Sequence, residues 1–269
     1  MAGVLTIKKM VIKPYMVSKM SRFFAIAILS VFSVNASIHG AGPVALPEDG
    51  KVSVIELWYI DPGQTPKQPE VFVLADGSVW TRSGQTDTLT QEKLQALVAT
   101  LLQKDLHGCT SQSLHAEIVA ASQREQLSHH IPQAGDTVIR VRTGTQFHEI
   151  RCHAAGLLVN RFPGAQLLQG FYSAQQRLEN LRAVTHLGGD AVANRLAGVA
   201  QEKLAAEYGI RVPVSSENLS VARSLPDGTR YCQFLVDSRR SERPMVVSLF
   251  QSPGQPSRVT LMEQTAVIQ

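Results

Sequence analysis

Two periods of apolar residues run through this chain, one of about two residues and one of about 3.6. Val52 to Ile60 is rich in β-branched and aromatic side chains and predicts a strand. Asp61 to Glu70 carries three prolines and a glycine and reads as a loop. Val71 to Leu74 and Ser78 to Arg82 flank Asp76-Gly77, a hairpin turn because those residue types tolerate positive φ. The period then lengthens. Leu94, Leu97, Val98, Leu101 and Leu102 recur at helical spacing behind Thr90 as N-cap, with Gly108 as the stop. Between 110 and 135 the pattern is ambiguous, although Leu114, Ile118 and Ala121 fit a short helix. Alternation returns at Thr137 to Arg142, turns at Thr143-Gly144-Thr145, and continues from Gln146 to His153 as a second hairpin.

The second half repeats the contrast. Leu167, Phe171, Leu178 and Leu181 form one stripe of a helix over Gln166 to Val184, which Gly188-Gly189 breaks. Asp190 is placed to cap a further helix carrying Val192, Leu196, Ala200, Leu204 and Tyr208. Beyond Gly209 only strands are expected, near 217–225, 229–237, 243–250 and 257–263, with turns at Asp227-Gly228 and Pro253-Gly254. Segregated strands and helices predict an α+β fold. Two units are expected. The first, 46–187, is strand, hairpin, helix, hairpin, helix. The second, 188–269, is a helix followed by a four-stranded antiparallel meander, an element order that resembles cystatin-like folds.

The first 36 residues differ in kind. Lys8, Lys9, Lys13, Lys19 and Arg22 precede the apolar run Phe23 to Val34 and the small-residue site ending at Ala36, which predicts a secretory signal peptide. About 12 apolar residues fall short of the roughly 20 that a spanning helix needs, so no membrane span is expected after cleavage. The leader also changes the charge. Five of the 26 Lys and Arg and none of the 22 acids precede Ser37, which leaves 21 cations against 22 acids. A near-neutral mature chain gives no bulk field for nucleic acid or anionic lipid.

The first half carries a further signal. Ala75-Asp76-Gly77-Ser78-Val79, Leu89-Thr90 with its leucine-rich helix, Asp136 to Val141 and His148-Glu149-Ile150 follow in that order. This order resembles a domain of predicted secreted bacterial proteins that, as a family, has no assigned activity. The resemblance covers about half the chain. It implies extracytoplasmic placement and supplies no catalytic residue.

Candidate chemistry concentrates around the second hairpin. His148-Glu149-Ile150-Arg151-Cys152-His153 holds metal-ligand types, but in a strand His148 and Cys152 share a face about 13 Å apart. Glu149 and His153 share the other face with Arg151 between them, which suits a solvated surface. His129-His130 precedes Ile131-Pro132; a site there needs another group, such as His115 or Asp136. No Gly-x-Ser-x-Gly elbow, helical His-Glu-x-x-His or phosphate loop occurs. No cofactor is expected.

Of the three cysteines, Cys109 and Cys152 are the expected disulfide, worth roughly 4 kcal/mol, and Cys232 alternates as a core residue. Arg239 and Arg240 belong to an arginine stripe in the last unit, with nine cations against eight acids overall. Taken together, the residues predict a non-enzymatic export-directed module that contacts a protein or peptide of the cell envelope through a sheet face or edge. Two alternatives remain open: a secreted hydrolase using Asp136, Glu149 and a histidine at the junction of the units, and a protease-inhibitor-like second unit.

Overall fold

A computed structural model describes residues 44–144, 146–236 and 245–263. Residues 1–36, expected to be a signal peptide, and Arg239 and Arg240 lie outside the described residues. Among the described residues the fold is α+β, built on two antiparallel sheets and five α-helices. The first sheet takes β1 (Ser53–Ile60), β2 (Val71–Leu74), β3 (Ser78–Thr81), β4 (Thr86–Thr88), β5 (Asp136–Thr143) and β6 (Gln146–His153) in the order β4-β3-β2-β1-β5-β6. Strand β1 is central because its alternate residues Ile55 and Leu57 face Val73 and Val71 on one side, Val141 and Ile139 on the other. Those side chains are fully buried beneath helices.

Four helices cover that face: α1 (Gln91–Thr100), α2 (Ser111–Glu125), α3 (Ala155–Arg161) and the first half of α4 (Gln166–Leu187). Thr90 caps α1 by accepting from the Lys93 amide at 3.3 Å. The helix does not run on to Gly108. It widens into a π-turn over Leu101–Asp105, closed by the Leu106 amide on the Leu101 carbonyl at 2.7 Å. That turn brings Asp105 inside, 3% exposed, against Arg177 of α4 at 3.0 Å. Gly170 lets α4 approach, because a Cβ there would collide with the Asp105 carbonyl oxygen.

Helix α2 resolves the ambiguous segment, with Leu114, Ile118 and Ala121 as its buried stripe. Besides a short 3-10 turn at Ser216–Asn218, two elements among the described residues have no counterpart in the sequence reading. Strand β4 is a polar edge, Thr-Asp-Thr, and needs no apolar alternation because neither face enters a core. Helix α3 has only seven residues, too few for a period to register.

The second sheet is the meander β7 (Leu219–Ser224), β8 (Arg230–Val236), β9 (Met245–Gln251) and β10 (Arg258–Glu263). It packs under α5 (Asp190–Tyr208) and also under the end of α4, whose Ala183, Val184 and Leu187 join the core with Leu196, Phe234 and Val247. The second sheet therefore has two covering helices where one was expected. At 22 residues α4 is about 33 Å long, enough to serve both cores. Gly188 ends it in the left-handed conformation, and Gly189, not Asp190, occupies the N-cap of α5. The Asp190 carboxylate instead pairs with Lys93 of α1. Among the described residues the two cores divide within α4, the first ending at Leu181 and the second beginning at Ala183, before the expected 187/188 boundary.

Candidate functional site

The second hairpin has two faces and a free edge, and the candidate residues are divided among them. Register pairs Asp136 with His153, Val138 with Arg151 and Arg140 with Glu149, so all six lie on the face away from the helices. Arg140 organises its centre. Its Nε donates to Glu149 at 2.7 Å, its Nη1 to Glu56 at 3.2 Å, and its guanidinium lies 5.0 Å over the Trp58 ring. Arg142 similarly lies 4.9 Å from Phe147, and Phe72 stacks on Trp80. Phe147 and Trp80 remain 50% and 43% exposed. Arg140 escaped the sequence reading because its role depends on cross-strand register, which only pairing reveals.

Strand β6 is one of the two edges of this sheet, β4 being the other. Residues 146–149 are exposed along it. The Arg151 amide points away from β5, because it donates to the Ser111 hydroxyl at the start of α2 at 2.9 Å. Strand parity then directs the amides of Phe147 and Glu149 the same way, into solvent. His148 shares the inner parity of Ile150 and Cys152 but is exposed. It is not among the residues that line a cavity with His129 and His130.

The other candidates do converge. Where β6 ends, a cavity of about 210 Å³ lies between α2, α3 and the loop before β5. Its floor is Leu114, Ile118, Leu158 and Cys152; its rim is His115, His129, His130, Arg151 and His153. The His115 and His129 rings meet edge-on, 6.1 Å between centroids. Four ties hold the rim loop. Ser122 donates to the Leu127 carbonyl at 2.6 Å, and Arg161 to that of Ser128 at 2.6 Å. His129 Nδ1 lies 3.2 Å from the Ser122 hydroxyl, and His153 Nε2 lies 3.0 Å from the Ile131 carbonyl. Asp136 sits behind the rim, with both carboxylate oxygens engaged by Arg151 and by His153 Nδ1 at 2.8 Å.

These contacts set the charges. Both nitrogens of His153 face acceptors, which suits the imidazolium. The Ile131 carbonyl first, then Asp136, raise its pKa above the ordinary 6.5. Burial would raise the Asp136 pKa, but His153 and Arg151 outweigh it and leave the carboxyl below its ordinary 3.8. An Asp–His pair with its second nitrogen on a backbone carbonyl has no nucleophile to activate. Glu149 is four register pairs away and held by Arg140, so Asp136, Glu149 and His153 do not converge on one reacting position.

The open groove of about 790 Å³ where the two cores meet is lined instead by Lys93, Tyr172, Arg177 and Asp190 among others, with no histidine. A third, polar cavity of about 390 Å³ lies under the 61–68 loop beside Tyr59. The Tyr59 hydroxyl is tied to Glu179 and Gln175 of α4, and burial, then Glu179, push its pKa far above 10. Arg182 continues that network from Glu179 to Glu70.

All three thiols are free and buried. The expected Cys109–Cys152 disulfide is thus not formed in this structure, although the two are close enough for Cys109 to influence Cys152. Burial pushes the Cys109 thiol up to about 11; burial, then the Cys109 charge, push Cys152 up to about 12. Among the described residues no group of three or more His, Cys, Asp or Glu is arranged to hold a metal ion. No helix among them is long and apolar enough to cross a membrane. No family model, curated protein or solved structure matches this chain, so its site is defined by its own geometry alone.

Proposed function

We propose that this protein is an exported, non-enzymatic binding module that accepts an extended protein or peptide segment along the β6 edge. The observation that carries the reading is the edge itself: an eight-residue strand with outward amides at Phe147 and Glu149 and exposed side chains on both faces. Added strands gain affinity from main-chain hydrogen bonds and specificity from alternate side chains. Phe147 on that edge and Arg142 and Arg140 on the neighbouring β5, the last lying over Trp58 of β1, supply aromatic and cationic contacts. Export rests on the basic, apolar and small-residue order of the leader.

The test is a pair of proline variants in capture from an envelope extract of the protein's own cell. Glu149→Pro removes an outward amide and spares the β5 ladder, whereas His148→Pro removes a ladder bond and disturbs the hairpin. The wild type retains a reproducible partner and slows hydrogen exchange at Phe147 and Glu149. Glu149→Pro folds normally and loses at least about tenfold in retention, the effect of losing roughly one hydrogen-bonded contact. Unchanged retention by Glu149→Pro removes the edge reading.

A further inference from the structure

The histidine-rimmed cavity is a separate matter from the strand edge, and neither depends on the other. Among its lining side chains there is not one acid, yet five of the nine are His or Arg. The nearest carboxylate, Asp136, is already matched by Arg151 and His153. Below this rim the floor is apolar. Other acids of α2 are committed elsewhere: Glu117 accepts from the Leu168 amide at 3.2 Å, and Glu125 pairs with Arg124 at 3.0 Å. A dry cavity of about 150 Å³ holds a benzene ring. About 210 Å³ therefore has room for one ring, or a short alkyl chain, together with a polar head.

We propose that this cavity binds a small monocarboxylate with an apolar body, a single aromatic ring or a short alkyl chain. The apolar body packs on Leu114, Ile118 and Leu158, and the carboxylate meets the imidazole rim. His129 is the central contact. Ser122 gives its hydroxyl proton to the Leu127 carbonyl, so its oxygen accepts from His129 Nδ1–H. That fixes the tautomer and leaves Nε2 without a hydrogen-bond partner among the described residues. A carboxylate arriving there favours protonation at Nε2, which then donates to it, so binding takes up a proton. The charged or titratable groups facing the same space are His115 from α2, His130 from the loop, and Arg151 and His153 from β6; α3 presents only Leu158.

Benzoate is the probe and benzamide its neutral counterpart, with binding followed by calorimetry and by histidine Cε1–H shifts. Benzoate is expected to shift His115, His129 and His130 and to bind at least about tenfold more tightly than benzamide, the size of one charge-assisted hydrogen bond. The heat is expected to vary with the ionisation enthalpy of the buffer, which reports proton uptake. A His129→Gln/His130→Gln double variant weakens benzoate at least about fivefold, while His148→Gln, on the exposed edge, leaves it unchanged. Hexanoate tests the alkyl alternative within the same class. Equal affinity for benzamide overturns the proposal. So does undiminished binding by a folded double variant, or the absence of any shift with both acids at tens of millimolar.

Discussion

The two sheets are stabilised by different means. On the first, the face away from the helices is organised by charge: Arg140 joins Glu56 to Glu149, and Arg151 and His153 close on Asp136. On the second, the corresponding face has no ion pair among the described residues. Tyr231 packs on Phe250 with ring centroids 4.8 Å apart, Arg258 covers that ring, and Ser248, 2% exposed, lies 3.5 Å from the Tyr231 hydroxyl. The cores differ in the same sense. The first buries the Asp105 carboxylate against a partly exposed Arg177, whereas the second, built of apolar side chains, adjoins the end of α4, where Thr185 Oγ1 and His186 Nε2 are buried without a hydrogen-bond partner among the described residues. The lesson is that the first sheet should respond to pH and salt and the second mainly to side-chain volume.

The largest expected effect tests whether the contrast extends to separate unfolding. Phe234→Ala empties the centre of the second core and costs roughly 3–5 kcal/mol. Both tryptophans, Trp58 and Trp80, lie in the first sheet, so their emission in urea reports that sheet alone. Because α4 serves both cores, the tryptophan midpoint is expected to fall with the Phe234→Ala variant. A midpoint left at the wild-type value means that the two cores melt independently.

Next come the contacts at the π-turn. Arg177→Ala leaves Asp105 buried without its cation, a change worth about 3 kcal/mol, at the lower end for a broken buried pair because Arg177 is partly exposed. Gly170→Ala forces α4 away from the Asp105 carbonyl at about 1–3 kcal/mol. Urea melts of each variant check both figures. Little loss in either would mean that the π-turn is not what docks α4 on the first core.

A smaller effect comes from His153. Its folded pKa is raised above 6.5, so its contribution to stability is complete below that value and disappears as pH rises through the folded pKa. Asp136 works from the other side: its lowered pKa gives stability above 3.8 that is lost as pH falls through the folded value. His153→Gln should therefore cost more at about pH 5.5 than at about pH 8.5, by no more than roughly 1 kcal/mol for so exposed a pair. A pH-independent difference would show that the imidazolium is not what holds the Ile131 loop.

The smallest effect concerns the thiols. With burial holding all three well above neutrality, disulfide reagents should react slowly with the native protein and quickly on unfolding. After oxidation by a protein or glutathione disulfide, thiol titration on the unfolded chain should find one free thiol, Cys232, if Cys109 and Cys152 join. Three free thiols would show that proximity falls short of bonding geometry.

Most strands and turns were legible because their causes are local. Asp76-Gly77 reads as a turn without knowledge of its neighbours, and Gly77 does adopt φ +91° there. The alternation at 137–142 names an inward face that the register then confirms at Ile139 and Val141. The candidate site was legible only in part. His129, His130 and Asp136 were visible as residue types, but whether His115 or His153 joined them depended on how α2 lies against β6. Glu149 and Arg151 were correctly placed on one solvated face; the separate anchoring of each, to Arg140 and to Asp136, was not.

By itself, then, the sequence determined the period of the longer elements, most of the turns between them, the α+β class and the near-neutral charge balance of residues 37–269. Each is set by neighbours within a few positions, where sterics and residue chemistry act alone. Only the tertiary structure decided that α4 serves two cores, that β6 is a free edge, and that four histidines from three elements rim one cavity. Those features depend on contacts between residues tens of positions apart, and packing fixes them only once every element is in place.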